Sequence, residues 1–231
     1  MDYDKGNRIR LYEMLYSQYS KLKFTKAIDR PIAISGAEKR LTQTLNTPGG
    51  YGVLHRYLHR GLLWRKAETS TELRLRFIRD QRFPIPSWSW MAYDSAIRYM
   101  DIPFGRVDWN KEEIKSPFSN LVNKEDRWFT GNADCITITA TVYPREKVAL
   151  EKRSLIFDDR RRTSEHGLYC VIVGIQKSRL AWDKYHRTHY VLLVQRKCQV
   201  QEAWVYHRVG VGTLEARDIK TDGVDKGAYI R

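Results

Sequence analysis

The chain has 231 residues, 42% of them hydrophobic and 29% charged, with a formal net charge of +14. That length suits one large domain, and the composition is that of a folded chain with a wet surface, which excludes wholesale disorder. The longest apolar run, Leu168 to Ile175, is too short to cross a bilayer as a helix, and the charged start MDYDKGNRIR lacks the apolar core of a secretory signal.

In chain order, Ile9 to Leu22 reads as a helix whose apolar stripe is Leu11, Leu15, Tyr19 and Leu22. Thr25 to Asp29 begins a second short helix that Pro31 interrupts. Ile32 to Leu45 follows as a helix with Ile34, Ala37, Leu41 and Leu45 on one face. Thr47-Pro48-Gly49-Gly50 is a break. A further helix is expected over Tyr51 to Leu63, burying Val53, Leu54, Tyr57, Leu58, Leu62 and Leu63 and exposing His55, Arg56, His59 and Arg60.

From Pro84 onward short β-type runs replace helical spacing. Ile97 to Tyr99 is a short strand candidate. Cys135 to Tyr143 sets Ile136, Ile138, Ala140 and Val142 against three threonines, the pattern of a half-buried strand. Leu168 to Ile175 and Tyr190 to Val194 read as more deeply buried strands, and Trp204 to Val211 as another. Arg145 to Arg153 and Lys177 to Arg187 are charged connections, and the residues after Leu214 read as a polar tail that frays. The chain therefore divides into a helical part, 1–83, a β-rich part, 84–214, continuous with it, and a tail, 215–231. Helices first and strands afterwards predicts an α+β fold, with N-terminal helices packed on a mostly antiparallel β-sheet or barrel.

Several stretches, taken together in order, resemble the region that follows the HET domain in fungal heterokaryon-incompatibility proteins. The most specific is Pro86-Ser87-Trp88-Ser89-Trp90, similar to that family's PSWSW motif, with Tyr99 where a further tyrosine is common. Tyr19-Ser20 with Leu22 and Thr25 resembles its YS…LT element, and Asp29-Arg30-Pro31-Ile32-Ala33-Ile34-Ser35-Gly36 its D-[KR]-x-x-A-x-S-G element. Gly52, Leu58, Leu62, Leu63 and Trp64 follow the pattern GLW…L…LLW, and Tyr190 to Val194 and Arg208 to Gly212 resemble its closing strands. The chain departs from the pattern at Leu54, where Trp is usual, at Met91-Ala92 and at Ser95. The resemblance implies a non-catalytic structural or regulatory module of a self/non-self recognition protein linked to cell death. The HET domain lies N-terminal to this region in the family, and the residues before Leu11 are too few to encode it, so its activity is not expected of this chain.

The other motifs are weighed on their residues. In an extended PSWSW segment Trp88 and Trp90 share one face and Ser87 and Ser89 the other, which suits a structural seam with Trp64 better than an aromatic binding platform. His55 and His59 have i, i+4 spacing, but Arg56 and Arg60 beside them repel a cation, so no metal is expected. Asp158-Asp159 next to Arg160-Arg161-Arg162 reads as an ion-paired turn rather than a catalytic carboxylate pair. Cys170 falls in an apolar strand and reads as an inert core thiol. Gly210-Val211-Gly212 lacks the rest of a dinucleotide fingerprint, so no cofactor is expected.

Cys135, Cys170 and Cys198 form no CxxC pair and are odd in number, which fits a reducing interior, cytoplasmic or nuclear. Gly52 to Arg82 carries eight Lys/Arg against three Asp/Glu. Arg56, Arg60, Arg65 and Lys66 within it are the candidate anion-binding residues, the basis of an alternative reading as a basic nucleic-acid-binding module. Any such binding is expected to be weak and non-specific. The partner expected first is another protein.

Overall fold

The computed structural model describes residues 2–25, 29–68, 85–121, 137–145, 155–159, 167–177 and 187–231. The expected helix start at Thr25 lies partly outside these residues. So do Pro84, Cys135, Ile136, the Arg160 to Arg162 run and most of the two charged connections. The described residues form two compact units, one drawn from Met1–Tyr99 with Ser116–Thr137, the other from Met100–Lys115 with Ile138–Arg231. The fold class is α+β, and the segment from Ile85 to Tyr99, grouped by sequence with the β-rich part, belongs to the helical unit.

The first unit opens with α1 (Asp2–Ser20) and α2 (Asp29–Thr44). The period of α1 is as expected but its buried face is not. Ile9, Tyr12 and Tyr16 are buried, whereas Leu11 is 50% and Leu15 43% exposed. The tyrosine stripe lies one residue round the helix from the leucine stripe. Its rings fill more volume, and the Tyr16 hydroxyl donates a hydrogen bond to Glu38, which a leucine could not. On α2 the buried residues are Arg30, Ile34, Glu38 and Thr42, spaced by four, while Ala37 is exposed. Pro31 does not interrupt the helix. It sits in the first turn, where its missing N–H has no intrahelical acceptor in any case.

Tyr51 to Leu63 is not one helix. β1 (Gly49–Gly50) and β2 (Val53–Leu54) form a hairpin, followed by a 3-10 turn at His55–Tyr57 and a single turn, α3 (Leu58–Gly61). The loop residues Tyr51 and Gly52 both have positive φ, 52° and 77°, as a two-residue hairpin turn requires. β3 (Trp64–Lys66) then pairs antiparallel with β4 (Ile97–Tyr99), setting Trp64 opposite Tyr99.

The second unit is a barrel. Its strands are β5 (Val107–Trp109), β6 (Ile138–Pro144), β7 (Leu155–Phe157), β8 (Leu168–Gln176), β9 (Thr188–Val200), β10 (Ala203–Glu215) and β11 (Asp225–Ile230). The ring runs β6-β8-β9-β10-β11 and back to β6, antiparallel throughout except for the parallel β10–β11 pair. β8 pairs β6 at its start and β5 at its end, and β10 pairs β11 at its start and β7 at its end. Register shifts in β8 near Ile172 and in β10 near Arg208 bend the strands where they change neighbours. One face of β8 and β9 presents Leu168, Cys170, Val191 and Leu193 to a cluster that includes Leu155, Val209 and Leu214. Their alternate residues, Val171, Leu192 and Val194, are buried too, so both faces are covered.

The expectation of a fraying polar tail after Leu214 is corrected. A 3-10 turn, Ala216–Asp218, leads into β11, whose Ala228 and Ile230 are buried as it closes the ring. Five residues of DKGAYI are polar, small or aromatic, but alternation places its apolar members inward. Asp158 is corrected as well. It is not part of an exposed ion-paired turn but a buried partner of the buried Arg208, with Nε to Oδ2 at 2.9 Å and Nη2 to Oδ1 at 3.3 Å.

Candidate functional site

The sequence motifs meet in the helical unit around Trp90. The PSWSW segment is not extended. It turns at Ser87-Trp88 and enters a 3-10 helix at Trp90–Ala92, so Ser87, Trp88, Ser89 and Trp90 are all buried instead of alternating. Burial of Ser89 is supported by two hydrogen bonds. Its Oγ donates to the Tyr51 carbonyl at 2.7 Å and accepts the Met91 N–H at 3.1 Å, capping the 3-10 helix. Trp64, also fully buried, donates its Nε1–H to the Trp88 carbonyl at 2.8 Å.

Trp90 lies flat against the hairpin turn. A Cβ on Gly52 would fall 2.0 Å from Trp90 Nε1, and Gly52 is already at positive φ, so no other residue fits without moving the indole. Tyr16 and Tyr19 pack on the ring at centroid distances of 5.5 and 6.3 Å. Behind it, Glu38 accepts a hydrogen bond from the Gly52 N–H and another from Tyr16 Oη at 3.2 Å. Burial pushes the Glu38 carboxyl up to about 7, against the two hydrogen bonds, which favour the charged form. Sequence reasoning missed Glu38. Its only signal was a carboxylate at the i+4 position from Ile34, on what proves to be the inner face of α2.

Arg30, from the D-R-P-I-A-I-S-G element, is the other buried polar anchor. It donates to the carbonyls of Ser20, Ser95 and Leu22 and pairs with Asp94 at 3.0 Å. Ser20 Oγ accepts the Ile97 N–H at 2.9 Å, which ties the end of α1 to β4.

The four candidate anion-binding residues do not present one basic surface. Arg60, expected on an exposed face, is buried and paired with Glu13 at 2.7 Å, because the segment that carries it is a turn of helix packed inward. Arg65 pairs with Glu68 at 2.9 Å, and Arg98 meets the other oxygen of the same carboxylate at 3.3 Å. Arg56 is exposed and Lys66 half-buried. His55 and His59 are both half-buried, and burial lowers the His55 pKa. Among the described residues no group of three or more His, Cys, Asp or Glu is placed to hold a metal ion. In the barrel, burial pushes the Cys170 thiol up to about 12, which leaves it protonated and unreactive at neutral pH.

The buried members of this constellation, Arg30, Glu38, Trp64, Trp88, Ser89 and Trp90, each meet another segment of the same unit and so tie its segments together. Compared with protein-family models, with curated proteins and with solved structures, the chain matches none. No helix among the described residues is long and apolar enough to cross a membrane.

Proposed function

We propose that this chain is a non-catalytic structural or regulatory module of the kind that follows the HET domain in fungal heterokaryon-incompatibility proteins, working inside the cell through contacts with another protein. One observation carries the reading. The separate motifs that resemble that family touch one another in a single core: Arg30 meets Asp94 and Ser95, Trp64 meets Trp88, and Gly52 meets Trp90. Residues that a binding or catalytic site would leave open to a ligand are here used as mutual supports, which favours a scaffold over an enzyme. The buried thiol of Cys170 and the exposed Cys198, both free, support a reducing setting.

The test joins the chain to a HET domain in a fungal host. The fusion should trigger incompatibility, the chain alone should not, and Trp90→Ala in the fusion should change the response by disrupting the module. Cell death from the chain alone, or a fusion indifferent to Trp90→Ala, would refute the reading.

A further inference from the structure

At one end of the barrel, where β9 passes from the buried Val194 to exposed residues, Arg196 turns into a box of groups from three other strands. Its guanidinium carbon stands 4.6 Å from the centroid of Tyr169 and 4.5 Å from that of Trp204, so the cation is covered by two aromatic faces. Around its edge, Nε meets Tyr206 Oη at 3.1 Å and Nη2 meets Asp225 Oδ2 at 2.9 Å, and Tyr206 Oη in turn donates to the same carboxylate oxygen. Tyr169 and Tyr206 pack edge to face at 5.4 Å, which fixes both rings. A register shift between Val205 and Tyr206 places Arg196 opposite Tyr206, with Lys197 as the extra residue of the bulge. Bulges of this kind re-aim a side chain.

Two ring faces, a carboxylate and a phenol oxygen are the parts that recognise an organic cation. The in-plane oxygens suit the planar fork of a guanidinium better than an ammonium, which is a compact point charge. The occupant is also reachable, since the Arg196 side chain is 36% exposed and that of Asp225 23%. An arginine needed only to seal the barrel end has no use for this full set of ligands at an opening to solvent. We propose that this end of the barrel is an arginine-recognition box whose resting occupant is the chain's own Arg196, displaced when a partner segment presents a guanidinium of its own. The built-in occupant competes at the high effective concentration of a tethered group, so the intact chain holds the box closed to weak ligands.

The experiment titrates N-acetyl-arginine amide into the intact chain and into Arg196→Ala. Binding is followed by the Trp204 indole resonance, assigned by its loss in Trp204→Phe. Arg196→Ala should bind at least about tenfold more tightly than the intact chain. It should prefer the arginine probe to N-acetyl-lysine amide, and lose binding in the double variant with Trp204→Ala. A folded Arg196→Ala that shows no saturable shift, or does not distinguish the two probes, overturns the proposal. If Arg196→Ala does not fold, millimolar methylguanidinium should restore the fold where sodium chloride at equal ionic strength does not, and failure of that rescue overturns it equally.

Discussion

Glu38 sits in a setting that works against its charge. Its folded-state pKa is raised to about 7, first by burial. For a carboxyl raised in this way, the folded chain binds the proton more tightly than the unfolded chain, so stability from this group is fullest below about pH 4.5 and declines as pH climbs toward 7. At pH 8 the carboxylate should therefore destabilise the fold by about 3 kcal/mol relative to acid conditions. Glu38→Gln keeps an acceptor for Gly52 and Tyr16 without the charge. It should be more stable than the parent at pH 8 and close to it at pH 5, read from urea melts at both values. Parallel melts at the two pH values would show that Glu38 does not titrate in this range. The motif residues around it were visible in the sequence, but Glu38 was not. A buried carboxylate carries no local signature when its partners are a backbone N–H from a hairpin and a hydroxyl on another helix.

The elements differ in how much of themselves they show. α1 announced its period, yet the leucines that made the stronger apolar stripe are the exposed ones. Replacing Leu11 and Leu15 by Gln should change stability by no more than about 0.5 kcal/mol each. Tyr12→Ala or Tyr16→Ala should lose about 3–5 kcal/mol, because each leaves a ring-sized hole in the core. Thermal melts of the four variants check this, and a larger loss from the leucines would restore the stripe read from sequence. The strands β8 and β9 were legible because continuous β-branched and aliphatic runs have few other uses. The β1–β2 hairpin was not, because two residues at positive φ reverse a chain whose apolar spacing continues in helical register. β11 was hidden for another reason: its pairing with β6 and β10 is a long-range fact, and six residues of mixed polarity carry no sign of their partners.

Over the whole molecule the net charge of +14 acts as a field. It attracts polyanions, but Arg30, Arg60, Arg65 and Arg208 each already face a carboxylate, and the tryptophans of the PSWSW segment are buried. Association with DNA or RNA should accordingly be sequence-independent, with a dissociation constant of about 10⁻⁴ to 10⁻⁶ M at physiological salt, and should weaken steeply as salt rises. Fluorescence titrations with unrelated oligonucleotides at two ionic strengths test this. Tight binding of one sequence at physiological salt would move the nucleic-acid reading to the front. The closed ring of the barrel has a consequence of a different kind. An open sheet can fray from its outermost strand, amide by amide, but a ring has no outermost strand, and releasing any member breaks ladders on two sides at once. The amides of β6, β8, β9, β10 and β11 that pair within the ring are thus bound to exchange with solvent deuterium as one cooperative block. The β9–β10 tip around Gln201, which extends past the ring, is left to open on its own.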